Sequence, residues 1–306
     1  MFAIDLAGTV GLVMGVTNQR SLGWAIAEPL AQAGARLVYS YQGERLRAGL
    51  EKLTEGQDAT LHACDVTDDA QLDALFAAIE AEHGRLDFVV HALAFAPAVT
   101  FERPFHEVSR EDWRIAMDVS AYSLVAVTRR AARLMPDGGS IVTLSYLAAE
   151  RVVPHYNMMG VAKAALEASV RYLAYDLGPR NVRVNAISAG PVRTVAARSI
   201  AGFGDMFSEG GRASMMRRNI TSEEVGRVAF ALLVPQLGSG VTGETLYVDA
   251  GFHAIGMFLP PGYADQRDAA ADLTASPAQG ADGATTGAAA TGAATEGDAS
   301  AKGAAG

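Results

Sequence analysis

TVGLVMGVTNQRSLGWAIAEPLAQAG, residues 9–34, decides the fold class. Its first part, TVGLVMGV, is a short apolar run rich in valine, the pattern of a strand covered on both faces. SLGWAIAEPLAQAG then repeats apolar residues at helical spacing and closes on Gly34. Between them Gly15 lets the chain turn tightly, and Ser21 with Gly23 opens the helix. A helix that starts just beyond a parallel strand offers free N–H groups and the positive end of its dipole to a pyrophosphate. The spacing is G-x5-S-x-G rather than the common G-x-G-x-x-G, so the turn alone is compatible with plain strand–turn–helix packing as well as with a dinucleotide site.

The same alternation continues outward. ARLVYSY (35–41), ATLHACDV (59–66), LDFVVHAL (86–93), GSIVTLSY (139–146), VRVNAISA (182–189) and ETLYVDA (244–250) read as further strands. Helical patterns at 68–84, 109–135 and 157–178 lie between them, with Thr67 and Gln71, and Ser109, supplying N-terminal capping chemistry, and Gly84 and Gly178 at the ends. Seven strands alternating with helices predict an α/β protein: a doubly wound, parallel, seven-stranded sheet in a single domain spanning 1–260. The segment 261–306 is nearly all Ala, Gly, Thr, Ser and Asp, and is expected to be a disordered tail, because it lacks the apolar surface to offset its ordering entropy.

Composition narrows the function classes. The net charge of −9 argues against generic nucleic-acid binding. No window carries the roughly 18–20 apolar residues of a membrane span, and the start of the chain does not read as a signal peptide. Cys64 is the only cysteine, which excludes an intrachain disulfide and a cysteine zinc site; no metal is expected. A cytoplasmic enzyme fits.

Two strand ends add to the dinucleotide reading. Asp65 closes a strand where its carboxylate can accept from an adenine amine and the N–H of Val66 meets the ring; the competing role is a cap for the following helix. VVHALAFAP (89–97) ends in small residues that leave room for a ribose or nicotinamide. After the second strand stands Ser40-Tyr41-Gln42, with neither a carboxylate for a ribose hydroxyl nor an adjacent cation for a 2′-phosphate. Arg45 and Arg47 follow at helical spacing that suits a solvated face, so these residues leave NADH and NADPH both open, and the reading leans to NADH.

The reacting end is SYLAAERVVPHYNMMGVAK (145–163). Tyr156 and Lys163 are seven residues apart, two helical turns or roughly 10 Å along the axis, and share a face. Met159 stands where a tyrosine one turn before the lysine would be. The combination of strand-end hydroxyl, helical tyrosine and lysine resembles the short-chain dehydrogenase/reductase superfamily, whose sheet is of the Rossmann type. GVTNQRSLGWAIA, SYQGERL, VVHALAFAP, the Tyr-x6-Lys block and VRVNAISAGP resemble, more narrowly, the enoyl-acyl-carrier-protein reductases of bacterial fatty-acid synthesis. The resemblance covers residues 5–256 or so.

That resemblance implies the following roles. Tyr156 bonds the developing enolate oxygen, Lys163 holds the nicotinamide ribose, and Tyr146 shapes the pocket. Gly15, Ser21, Leu22, Gln42, Asp65, Val66, Leu93, Val192 and Thr194 surround the cofactor. Ala96, Met159, Phe203 and Met206 line the acyl pocket with the two tyrosines, and 193–218 form a lid. A homotetramer is implied, with small residues Gly160, Ala164 and Ala168 allowing close helix approach. The partner is acyl carrier protein, acidic, for which Arg193, Arg198, Arg212, Arg217 and Arg218 are docking candidates. Hydride delivery to the β-carbon of a conjugated thioester places charge on an oxygen two carbons further on, which gives the displaced tyrosine a reason. The alternatives are an NAD(P)H-dependent carbonyl reductase, disfavoured by Met159, and a catalytically silent NAD(H)-binding regulator.

Overall fold

The computed structural model describes residues 4–194 and 202–257, which belong to one compact unit. The proposed tail and part of the proposed lid, residues 195–201 with Arg198, lie outside the described residues. Among the described residues seven parallel strands form one sheet in the order β3-β2-β1-β4-β5-β6-β7. They are β1 (Val10–Met14), β2 (Arg36–Tyr41), β3 (Ala59–Ala63), β4 (Phe88–His91), β5 (Gly139–Ser145), β6 (Val182–Ala189) and β7 (Thr245–Val248). The order reverses between β1 and β4, so the crevice beyond their carboxyl ends is the topological switch point, where open α/β sheets bind ligands.

Helices cover both faces. α1 (Leu22–Gln32) and α2 (Glu44–Leu53) follow the first two strands, and α3 (Asp69–His83) the third. A one-turn α4 (Val99–Glu102), then α5 (Arg110–Met117) and α6 (Ser123–Ala131), follow β4; α7 (Asn157–Leu177) follows β5. Beyond β6 come α8 (Phe203–Ala213), α9 (Ser222–Leu233) and the short α10 (Pro235–Gly238). One apolar layer joins Trp24, Ile26 and Leu30 of α1 to Val225 and Leu232 of α9. The other joins Leu72 and Ile79 of α3, Leu124 of α6 and Leu166 and Val170 of α7. Val89 and Ile141 in the central strands are completely buried, which accounts for the unbroken apolar runs.

Local chemistry departs from the sequence reading in three places. The cap of α3 is Asp68, accepting from the N–H groups of Ala70 and Gln71, rather than Thr67. Gly178 stays right-handed, and Asn181 at φ 57° makes the left-handed turn into β6. The helical pattern of 109–135 is interrupted by a π turn at Asp118–Tyr122, an extra residue of the kind that collects at functional sites.

Candidate active site

The sheet register lines up the site. Met14 pairs with Ser40 on one side and His91 on the other, and His91 pairs with Thr143. Gly15 follows at φ 90°, and a methyl group there would collide with the carbonyl oxygen of Ala92 and reach within 3.3 Å of Leu93. The turn thus presses the end of β1 onto the end of β4, a cradle that any Cβ would fill. Ser21 caps α1, accepting from Trp24 N–H and donating to Asn18 O at 2.7 Å, so Leu22 begins the helix at the cradle's rim. At the far side Gln42 donates to Asp65 at 2.8 Å. The other Asp65 oxygen accepts from the N–H and hydroxyl of Thr67, so the carboxylate closes its own turn; it does not cap the helix. Val66 packs against the second apolar layer, and Val192 against the first, with Thr194 N–H returning to Val192 O at 2.8 Å.

At the opposite side of the crevice, β5 delivers Tyr146 and α7 begins immediately after Tyr156. The two rings lie 4.9 Å apart at 55°, and Phe101 meets Tyr156 edge-on at 6.4 Å. Tyr156 sits between two residues of positive φ, His155 at 64° and Asn157 at 37°. The Asn157 amide ties this kink to Thr100 O at 3.0 Å and Arg103 O at 2.9 Å. Two residues of positive φ flanking one tyrosine store strain where the ring must be aimed. Burial, and then Tyr146, raise the Tyr156 hydroxyl well above the ordinary tyrosine range, and burial pushes Tyr146 up to about 12 with help from Asp249. Both phenols stay neutral donors across the physiological range.

Lys163, two turns on, is 4% exposed and donates to Leu144 O at 2.7 Å. Burial pulls its pKa down to about 8, with Glu167 pulling the other way. An ammonium has three donors, so a buried one bonded to a single carbonyl among the described residues has capacity for more acceptors. Met159 is buried with Ala96, Phe101 and Met158 in an apolar cluster that Tyr156 joins. Gly160 lies against the backbone: a methyl group there would stand 2.9 Å from Ala148 O. That close approach lies within the chain.

From α8, Met206 reaches over the site and its sulfur accepts from the Tyr146 hydroxyl at 3.4 Å. Phe203, expected beside it, packs on Phe207 of its own helix at 5.9 Å. Among the docking candidates Arg193 lies over the Phe207 ring at 4.3 Å, Arg212 pairs with Glu209, and Arg218 pairs with Glu224. Arg217 donates to Arg212 O.

The site also contains groups that sequence reading passed over. His91 is fully buried, bridging Thr143 Oγ1 and Ser123 Oγ at 2.9 Å each, and burial followed by Lys163 lowers its pKa to about 3, so it is neutral. Ser120, in the π turn, bonds both the N–H and carbonyl of Phe95 at 2.8 Å, holding the segment that carries Leu93 and Ala96. Ser145 bonds the buried Glu167. The signal for Glu167 was present: a carboxylate four residues after Lys163, on the apolar face of the same helix.

The donors and spaces fit a nicotinamide dinucleotide: a glycine cradle at a helix N-terminus, polar side chains at the ends of β2 and β3, and an under-bonded buried ammonium. The family model for enoyl-(acyl carrier protein) reductase matches residues 15–253. Enoyl-(acyl-carrier-protein) reductase (NADH) 1 of Rhizobium meliloti is 50% identical over 251 residues, covering 82% of this chain and 92% of its own. The enzyme of Staphylococcus aureus designated NADPH is 46% identical over 255 residues, covering 82% and 99%. Among solved structures, the reductase of Anaplasma phagocytophilum in complex with NAD superposes with a TM-score of 0.80 at 44% identity, covering 83% of this chain and 97% of the other. The chain belongs to the enoyl-(acyl carrier protein) reductase family.

Proposed function

We infer that the protein reduces the 2,3 double bond of a trans-2-enoyl thioester carried on acyl carrier protein, the last reductive step of a fatty-acid elongation cycle, with NADH as reductant. The observation that carries this reading is the pairing of Tyr146 and Tyr156 at 4.9 Å, with Met159 buried in an apolar cluster where a carbonyl reductase needs its hydroxyl. A bound reduced nicotinamide supplies hydride to the β-carbon. Everything else falls to the chain. Tyr156, aimed by the strained turn around it, donates a hydrogen bond to the thioester oxygen as negative charge develops there, an interaction strongest in the transition state. Its raised pKa keeps it protonated as the donor of that bond, and a proton passed from the Tyr156 hydroxyl to the α-carbon, and replaced on Tyr156 from solvent, completes the reduction. Lys163 contributes positive charge and holds the ribose hydroxyls. Tyr146 fixes the Tyr156 ring on one side and meets Met206 on the other.

Gly15, Ser21, Leu22, Gln42, Asp65, Val66, Leu93, Val192 and Thr194 hold the cofactor. The lack of a cation at Gln42 favours NADH, although relatives designated for either cofactor are of similar identity. Ala96, Met159, Phe203 and Met206 line the acyl channel under the 193–218 lid; the Met206 contact with Tyr146 supports that role. Domain 1–260 does this chemistry and 261–306 is an appended tail. A homotetramer in the cytoplasm completes the proposal. Tyr172 and Tyr175, 74% and 80% exposed on α7, are apolar surface suited to a partner subunit, and the one cysteine, Cys64, is a buried free thiol.

The test is nicotinamide absorbance with crotonyl and ketoacyl thioesters, each with NADH and NADPH. Oxidation of NADH with the crotonyl substrate is expected; oxidation only with the ketoacyl substrate identifies a carbonyl reductase, and none with either a silent binder. Tyr156→Phe should lower kcat by about 10²-fold or more while NADH still binds.

A further inference from the structure

Three consecutive residues, the last two of β5 and Tyr146 just beyond it, each meet one residue of α7 or its N-cap. Leu144 offers its carbonyl to Lys163, Ser145 its hydroxyl to Glu167, and Tyr146 its ring to Tyr156. Lys163 and Glu167 lie one turn apart on one face of α7, and Tyr156 stands at its N-cap. Tyr146, Tyr156 and Lys163 have roles in the proposed reaction; the contact between Ser145 and Glu167 has none. Yet Glu167 is 5% exposed and Ser145 6%, and burying a carboxylate is unfavourable unless something is gained.

We propose that Glu167 is a positioning residue of this site: clamped by Ser145, it fixes α7 against the carboxyl end of β5 and sets a carboxyl one helical turn from Lys163. The Ser145 bond sits between the Lys163 and Tyr146 contacts in sequence, so loosening it frees both. Electrostatics point the same way. Groups acting on Lys163 are Glu167, which favours its charge, and His91, which is neutral and supplies none. Glu167 itself is raised by burial, lowered by the Ser145 hydrogen bond, raised by Glu150, and lowered by Arg171 and Lys163; Tyr247 also senses its charge. Burial is the largest of these and leaves the carboxyl above its ordinary range, and the serine's hydrogen bond opposes that rise.

The proposal rests on the reading of Lys163 as the ribose-binding lysine, and its test is independent of turnover. The chain has three lysines, Lys52, Lys163 and Lys302, so a side-chain lysine NMR titration of the cofactor-free protein shows three signals, two of them references. Lys163 should titrate near 8 in the wild type. Glu167→Gln, which keeps an acceptor for Ser145 but removes the charge, should move that midpoint down by about half a pH unit or more. Glu167→Asp should restore part of the shift. Ser145→Ala should move the midpoint in the same direction by less, and serves if the glutamine variant does not fold. The alkaline limit of kcat/KM should follow the midpoint in each variant. A Lys163 midpoint unchanged from wild type in Glu167→Gln, or in Ser145→Ala where that variant alone folds, overturns the proposal. Failure of enoyl reduction in the wild type would instead overturn the proposed function and leave the titration standing.

Discussion

Replacing Lys163 with methionine separates what this residue does for binding from what it does to the fold. Its side chain is 4% exposed, and burial pulls its pKa from the ordinary 10.5 to about 8. At 1.36 kcal/mol per pH unit, keeping that charge inside the protein costs about 3 kcal/mol below pH 8. Between pH 8 and 10.5 the unfolded chain still holds a proton that the folded chain has released. Stability of the cofactor-free protein therefore rises with pH across that window, by up to about 3 kcal/mol from this group alone. Methionine fills similar space without charge, so the variant should lack this rise and be more stable at pH 7 by about 1–3 kcal/mol, or roughly 2–4 °C in melting temperature per kcal/mol. Affinity for NADH should run the other way. If the charged lysine holds the ribose, binding is constant below pH 7 and about tenfold weaker at pH 9, where roughly one molecule in eleven keeps the charge. Thermal melts of the cofactor-free protein at pH 7 and 9.5, with NADH fluorescence titrations at the same pH values, measure both slopes. A variant that melts lower than wild type at pH 7, together with wild-type NADH affinity that is flat to pH 9.5, would refute the reasoning.

Other substitutions probe the remaining parts of the crevice. Gly15→Ala forces φ 90° on a side chain and drives its methyl group into Ala92 O; a loss of about 3 kcal/mol or more in stability is expected, with NADH binding abolished in titration. Asn157→Ala removes two hydrogen bonds and leaves alanine at φ 37°; about 2–3 kcal/mol should be lost in denaturant melts, and kcat should fall more than KM changes because Tyr156 is no longer aimed. Met206→Ala removes the contact between α8 and Tyr146, and should raise KM for the enoyl thioester several-fold while the NADH dissociation constant stays put.

The architecture was legible because the inner strands β1 and β4 are apolar and buried on both faces and the long crossover helices carry a 3.6-residue stripe. What escaped was governed by something other than periodicity. α2 buries only Leu50, so its pattern is faint. α9 announces itself through the T-x-x-E capping box of Thr221 and Glu224, a chemical signal rather than a periodic one. The π turn has no sequence signature: one inserted residue shifts the helical phase and is absorbed by Ser120 and Ser123 bonding to backbone.

At the site, spacing along one helix brought Tyr156 and Lys163 into a single reading, whereas partners supplied by other elements stayed hidden. His91 meets Thr143 only because β4 and β5 pair in that register, and Glu167 meets Ser145 only because α7 lies back along β5. Phe203 shows the converse. Its side chain type suits an acyl pocket, and the structure adds a contact with Phe207, four residues on in the same helix, that its type alone does not announce. A motif therefore locates the groups that face the substrate, while the groups that set their charge and direction emerge from strand register and helix docking. Tyr156 is the clearest case: its identity is read from the sequence, but its aim depends on His155 and Asn157 at positive φ, a backbone state that the letters H-Y-N do not announce.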